Sequence, residues 1–354
     1  SPHHVSIYKR DEETGLLELI CCLPISGEYP KDIAIFPDDR HIASLNHETG
    51  SITFFHIDYE KGLYKYNGIT CPLTDTNFPT VDPKNPLELT QKEAQLMDVL
   101  AASFAHSEAL QRHVRFLYSS GSMYLCMNGN LLFHGCIPMN EDGSFEKVEV
   151  DGVRYAGRAL LDRLERSARE AYFLPKDHPD KQKNVDKMWL LWCSAQSPLF
   201  GKSRMSAFER YFTKEKALHE EVYNSYYRLS ADSHVCEQIL NEFGVDPVHG
   251  HIINGHVPVR QKDGENPVKA DGKLYVIDGG LSKAYQAKTG IAGYTLIFNS
   301  HYLALAQHHD YISHPLSKPE SDDMPTLQIT QKMDKRILVS DTDAGKKLSQ
   351  RIEE

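Results

Sequence analysis

Met123-Tyr-Leu-Cys-Met-Asn-Gly-Asn-Leu-Leu-Phe-His-Gly-Cys-Ile-Pro138 reads as two short apolar strands around a tight turn. Asn128-Gly129 tolerates positive φ at both positions, which a two-residue hairpin requires. The second strand, Leu131-Leu-Phe133, delivers His134 and Gly135 at its C-terminal end. There an imidazole can leave the core, and glycine lets other backbone come close. His251-Ile-Ile-Asn-Gly-His-Val-Pro-Val259 repeats the arrangement, with His256 presented on a turn after a short apolar run. One Gly-His pairing is weak evidence, because a lone strand-end histidine is more often structural. Two of them, each beside a glycine, suit a divalent metal, since neutral imidazole is a common ligand for borderline ions. His249 and His251 read as peripheral, one flanking a glycine and the other opening the strand.

Upstream, Thr90-Gln-Lys-Glu93 forms a capping-box signature. Leu96, Val99, Leu100, Leu110, Val114 and Leu117 then recur at helical spacing to about Tyr118, which predicts the core face of one long helix or two short ones. Further helices are expected over about 156–173 and 231–243, the latter closed by Gly244. Pro72, Pro79, Pro83 and Pro86 mark a break that puts a domain boundary near residue 70. Before it, Val5-Ser-Ile-Tyr-Lys-Arg-Asp-Glu-Glu-Thr-Gly15 matches Ile52-Thr-Phe-Phe-His-Ile-Asp-Tyr-Glu-Lys-Gly62 at an offset of about 47 residues, within the range of propeller blades. Each copy has the pattern of a hairpin, and a Pro37-Asp-Asp39 turn lies between two further strands.

Composition sets the class. The 354 residues are 40% hydrophobic and 25% charged, ordinary for a globular protein, and length allows two or three domains. A net charge of −10 argues against a nucleic-acid or anionic-membrane partner, since both attract basic surfaces. Seven scattered cysteines without paired C-x-x-C spacing read as reduced thiols. With no membrane-span or signal pattern, a cytoplasmic location is expected.

Collinear blocks carry a resemblance. Asn130-Leu-Leu-Phe-His-Gly-Cys-Ile-Pro138, Ser197-Pro-Leu-Phe-Gly-Lys202, Phe208-Glu-Arg-Tyr-Phe212, His251-Ile-Ile-Asn-Gly-His-Val-Pro258, Val276-Ile-Asp-Gly-Gly280, Ser282-Lys-Ala-Tyr285, Thr289-Gly-Ile-Ala-Gly-Tyr294 and Asp341-Thr-Asp-Ala-Gly345 resemble class III fructose-1,6-bisphosphatases from about residue 69 to the end. Residues 1–68 resemble the late blades of lactonase-type β-propellers, the group of the 6-phosphogluconolactonases. The resemblance implies an α/β chain with two parts. Residues 1–68 would be an antiparallel β-propeller fragment that packs poorly on the phosphatase part, and 69–354 part of a calcineurin-like metallophosphoesterase αββα sandwich. It implies hydrolysis of fructose 1,6-bisphosphate to fructose 6-phosphate with a divalent metal, manganese by the family's habit, and is compatible with a homo-oligomer.

By the same resemblance His134 and His256 match two ligand motifs serving one ion. The family's longer upstream motifs, G-D-x-x-D-R-G and G-N-H-D, are found nowhere in the chain, and His47 in Asn46-His-Glu48 belongs to the propeller repeat. The expectation is therefore a shortened, impaired enzyme, with a non-catalytic scaffold or a lactonase-like propeller as rivals. Lys202 and Arg204, which come after a glycine loop, are candidate phosphate contacts. Lys283 is another, and Asp278 would either orient a histidine or cap a turn. Trp189 and Trp192 read as core anchors, and His308, His309 and Asp310 as surface residues.

Overall fold

The structure, a computed structural model, describes residues 4–10, 17–24, 30–35, 42–46, 56–58, 62–66, 68–82, 84–280, 283–290, 293–308 and 325–354. The turns at Gly15 and Pro37-Asp-Asp39, His47, and the pair His309 and Asp310 lie outside them. The chain divides into two compact units, Ser1–Gly121 with Arg169–Tyr223, and Ser122–Ala168 with Asn224–Glu354.

The first unit begins with β1 (His4–Arg10), β2 (Leu17–Pro24), β3 (Pro30–Ile35), β4 (Ile42–Asn46), β5 (His56–Asp58), β6 (Leu63–Tyr66) and β7 (Ile69–Pro72). All pairings are antiparallel: β1 with β2, β3 with β4, and β5, β6, β7 in one sheet. Packing runs straight through residue 68. Tyr64, Cys71 and Leu73 from the β6–β7 hairpin are buried in one cluster with Phe208 and Leu218. The Tyr64 ring stacks on Phe208 with centroids 5.4 Å apart, and Thr74 donates its N–H to the Phe212 carbonyl at 2.7 Å. Poor packing of residues 1–68 on the rest is thus corrected for this hairpin, whose aromatic face is buried by the helix Ala207–Phe212.

Two other expectations change here. The helices Gln91–His106 and Glu108–Ser120 form where expected, the first with its Thr90–Glu93 capping box, and Ser107 caps the second. Neither buries a residue; Leu96, Val99, Leu100 and Leu117 are all exposed, so their helical spacing does not mark a core face. Trp189 packs against Cys193, Met205 and Ala207, whereas Trp192 is exposed.

The second unit carries β8 (Tyr124–Met127), β9 (Asn130–Phe133), β10 (Val148–Val150), β11 (Val153–Tyr155), β12 (His251–Asn254), β13 (Val268–Lys269), β14 (Leu274–Val276), β15 (Gly293–Phe298), β16 (Tyr302–His308) and β17 (Thr326–Lys332). Its main sheet has the order β13-β14-β12-β9-β8, with β14, β12 and β9 parallel at the centre and antiparallel edges. Asn128 (φ +49°) and Gly129 (φ +76°) close the β8–β9 hairpin. Asn128 is further held by a reciprocal pair of hydrogen bonds with Asp343 at the start of the helix Asp343–Glu353.

Alternation along the central strands sorts side chains onto two faces. Leu131, Phe133, Ile252, Leu274 and Val276 face one way, into a core shared with Tyr226 and with Cys236, Ile239 and Leu240 of the helix Ser233–Glu242. Ile253 and Tyr275 face the other way, against Leu303 and Leu305 of β16. That strand is the middle of an antiparallel sheet β15-β16-β17. The layers are helix, mixed sheet, antiparallel sheet. Because both faces of β9, β12 and β14 are covered, these strands are short apolar runs, and polar residues appear only where they end.

Candidate functional site

β9 and β12 are parallel neighbours, in register from Asn130 opposite His251 to Leu132 opposite Ile253. Their C-terminal ends therefore deliver His134 and Gly255-His256 to the same edge of the sheet. His134 Nε2 and His256 Nδ1 lie 3.0 Å apart, with ring centroids at 4.8 Å and planes at 70°. Residues 122 positions apart in the chain are thus brought together where their strands pair.

His256 adopts a φ of +69°, in the left-handed region that few non-glycine residues take. Such a conformation persists only where its surroundings fix it, and it is found disproportionately at functional sites. Gly255 packs beside both: a Cβ there would sit 3.4 Å from Asp278 Cβ and 3.9 Å from the His134 carbonyl oxygen, at ordinary contact distance. Partial burial lowers the His134 pKa below its ordinary value, although the ring is exposed at its edge, and the Asp278 carboxylate pulls weakly in the opposite sense. At neutral pH the imidazole is thus a neutral lone-pair donor.

Asp278 stands beside this pair, and its Oδ1 accepts a hydrogen bond from the Gly280 N–H at 2.8 Å, so it also caps the turn after β14. It lines a cavity of about 500 Å³ together with Ile277, Gly279, Tyr294, Thr295 and His308. His308, expected at the surface, is half-buried there and bonded through Nε2 to Thr295 Oγ1 at 2.7 Å. Lys283 opens the helix Lys283–Thr289, and its side chain is outside the described residues.

Lys202 and Arg204 belong to the other unit, and both are engaged within it. Lys202 Nζ pairs with Glu221 at 3.2 Å and lies over the Tyr223 ring. Arg204 donates to the carbonyls of Glu220, Ala217 and Leu218, pairs with the buried Glu209 at 3.3 Å, and stacks on Tyr66 at 4.6 Å. A guanidinium so occupied braces a loop. Sequence reasoning missed Glu209 and Tyr64, whose hydroxyl donates to Glu209 Oε1 at 2.7 Å. It also read Asn254 only as a turn residue. Among the described residues no group of three or more His, Cys, Asp or Glu side chains converges.

The family model for firmicute fructose-1,6-bisphosphatase matches residues 46–354. The chain belongs to this family. A second model, for the seven-bladed lactonase β-propeller, matches residues 3–72, so the two overlap across β5–β7. Among relatives, the fructose-1,6-bisphosphatase class 3 of Clostridium novyi is 50% identical over 299 residues, 84% of this chain and 45% of the relative. Those of Fusobacterium nucleatum and Clostridium beijerinckii are 49% and 51% identical over similar stretches, covering 46% and 45% of their own lengths. The chain thus spans less than half the length of the relatives it matches. No solved structure matches it significantly. Among the described residues no helix is long and apolar enough to cross a membrane.

Proposed function

We propose that this chain carries the two-histidine half of a metal-dependent fructose-1,6-bisphosphatase site, acting on fructose 1,6-bisphosphate to give fructose 6-phosphate and phosphate. The observation that carries the reading is the His134–His256 pair. A nitrogen separation of 3.0 Å is about the chord that two metal–nitrogen bonds of about 2.1 Å subtend at a right angle. Two imidazoles with a carboxylate beside them form a mixed nitrogen and oxygen donor set for a first-row divalent ion, and manganese, a harder ion, would draw on the oxygen donors. When bound, the metal centre would supply Lewis-acid polarisation of the phosphoryl oxygens and a nucleophile at neutral pH. The chain's own residues do the positioning. His134 and His256 present lone pairs from fixed strand ends, and Asp278 biases the local charge.

Two imidazoles are fewer than the three or four protein ligands that normally hold a transition metal. The remaining donors must come from residues outside this pair. That observation favours the second reading, a non-catalytic scaffold, whenever those donors are not supplied. The helix–sheet–sheet layering supports the calcineurin-like sandwich as the parent fold, and the lactonase match over residues 3–72 supports a propeller-derived segment up to about residue 68. A cytoplasmic location and assembly as a homo-oligomer belong to the same proposal.

The test is phosphate release from fructose 1,6-bisphosphate with manganese, comparing the chain with the Clostridium novyi relative. We expect the chain alone to be much slower. Fast turnover that persists in His134→Ala would sink the assignment of the site, while fast turnover abolished by that substitution would show that the donor set is complete.

A further inference from the structure

The two histidine turns are joined by more than the strand ladder. Past the last paired residues, Gly255 N–H donates to the His134 carbonyl at 3.0 Å, and the Asn254 side-chain amide donates to the next carbonyl, Gly135, at 3.2 Å. The same Nδ2 donates its other hydrogen to the Tyr226 hydroxyl at 2.8 Å. Tyr226 is fully buried, and its ring meets Phe133, the residue before His134, edge-on with centroids 5.9 Å apart. Asn254 itself is 4% exposed.

A side chain serves here because the backbone turns away. His256 leaves the extended conformation at φ +69°, so the ladder cannot continue along β12, and the Asn254 amide supplies one more rung to the β9 turn. The arrangement sacrifices one atom: Asn254 Oδ1 is buried without a hydrogen-bond partner among the described residues. Flipping the amide would set Oδ1 against the Gly135 carbonyl, so the orientation is dictated by the turn that bears His134. A buried carbonyl oxygen left unpaired is destabilising, and such groups are uncommon in native structures.

We propose that Asn254 is a positioning residue. Its amide holds the Gly135 and Gly255 turns at the spacing that keeps His134 Nε2 and His256 Nδ1 together, and so sets the affinity of the pair for a divalent transition-metal ion. This role rests on the metal reading of the histidine pair.

The probe is cobalt(II), titrated into the full chain, with the visible ligand-field absorption and far-ultraviolet circular dichroism read on the same samples. The wild-type chain is expected to show a saturable band that His134→Ala removes. In Asn254→Ala the cobalt affinity should fall about 10–100-fold, the scale seen when a partner supporting a metal ligand is lost, and the band should shift. Tyr226→Phe keeps the ring and removes the second acceptor of the amide together with the hydroxyl's bond to Ser230; a smaller loss of the same sign is expected, and Ser230→Ala, which removes only the latter, should leave the affinity unchanged, so the pair decides the question if Asn254→Ala does not fold. Unchanged affinity and band in the folded variants, or losses that track only the unfolded fraction, would overturn the role of Asn254. A wild-type chain with no histidine-dependent band would remove the metal reading, and this role with it.

Discussion

The histidine turns and the Lys202–Arg204 loop both lie beside glycines in the sequence, and they use their polar groups in opposite ways. Arg204 is enclosed by three backbone carbonyls, a buried carboxylate and an aromatic face, so its charge is consumed in holding unit one together. His134 and His256 turn their nitrogens toward each other at the rim of a sheet, one with an exposed ring and the other on a strained backbone. A polar group that satisfies a buried neighbour contributes to stability; two imidazole nitrogens 3.0 Å apart at the rim of a sheet are within reach of each other and of one shared ion. The contrast predicts that substitutions in the two regions separate stability from binding.

The largest effect is expected at Arg204. Its removal leaves Glu209 buried without its charge partner, so Arg204→Ala should lower stability by about 3–5 kcal/mol, read from urea unfolding. A loss under about 1 kcal/mol, the scale of an exposed pair, would mean that the ion pair is not the brace it looks like. Tyr64→Phe deletes the other group bonded to Glu209 Oε1 and should cost about 1–3 kcal/mol in the same measurement. His134→Ala, at an exposed ring, should alter stability by less than about 0.5 kcal/mol, as surface substitutions do, while abolishing histidine-dependent metal binding. A large destabilisation at His134 would break the comparison, because it would make the pair structural.

The finest test concerns pH. Burial pushes the Glu209 carboxyl above its usual range, in spite of the hydrogen bond from Tyr64 and the charge of Arg204. The folded state then binds this proton more readily than the unfolded chain does. Its stabilising contribution is present below the unfolded pKa of about 4.5 and is lost as pH rises through the raised folded value. Glu209→Gln removes that loss, so the difference between variant and wild type should shift in favour of the variant as pH is raised from about 4.5. A difference independent of pH would show that Glu209 is not held above its usual range.

Much of this site was legible in the sequence. Asn128-Gly129 specified its hairpin because both positions needed positive φ, and the apolar runs ending in His134 and in Asn254-Gly255-His256 marked buried strands with exposed ends. The parallel pairing of β9 and β12, which makes the two histidines neighbours, depends on non-local contacts that no local pattern encodes. Periodicity misled at Leu96, Val99 and Leu100, since helical spacing reports a shared face and not what covers it. Charge left Arg204 open: a glycine-loop arginine looks the same in sequence whether its partner is a phosphate or the carboxylate of Glu209, five residues on. Asn254 was hidden by its own turn propensity, which explains an Asn before Gly without reference to the amide.

The central claim is that His134 and His256 share one ion, and the most direct measurement is an anomalous difference map of the crystallised chain soaked in manganese. The account predicts a single peak at about 2.0–2.3 Å from both His134 Nε2 and His256 Nδ1, lost in His256→Ala crystals. No peak at the pair, or a peak bonded to only one of the two nitrogens, would contradict it.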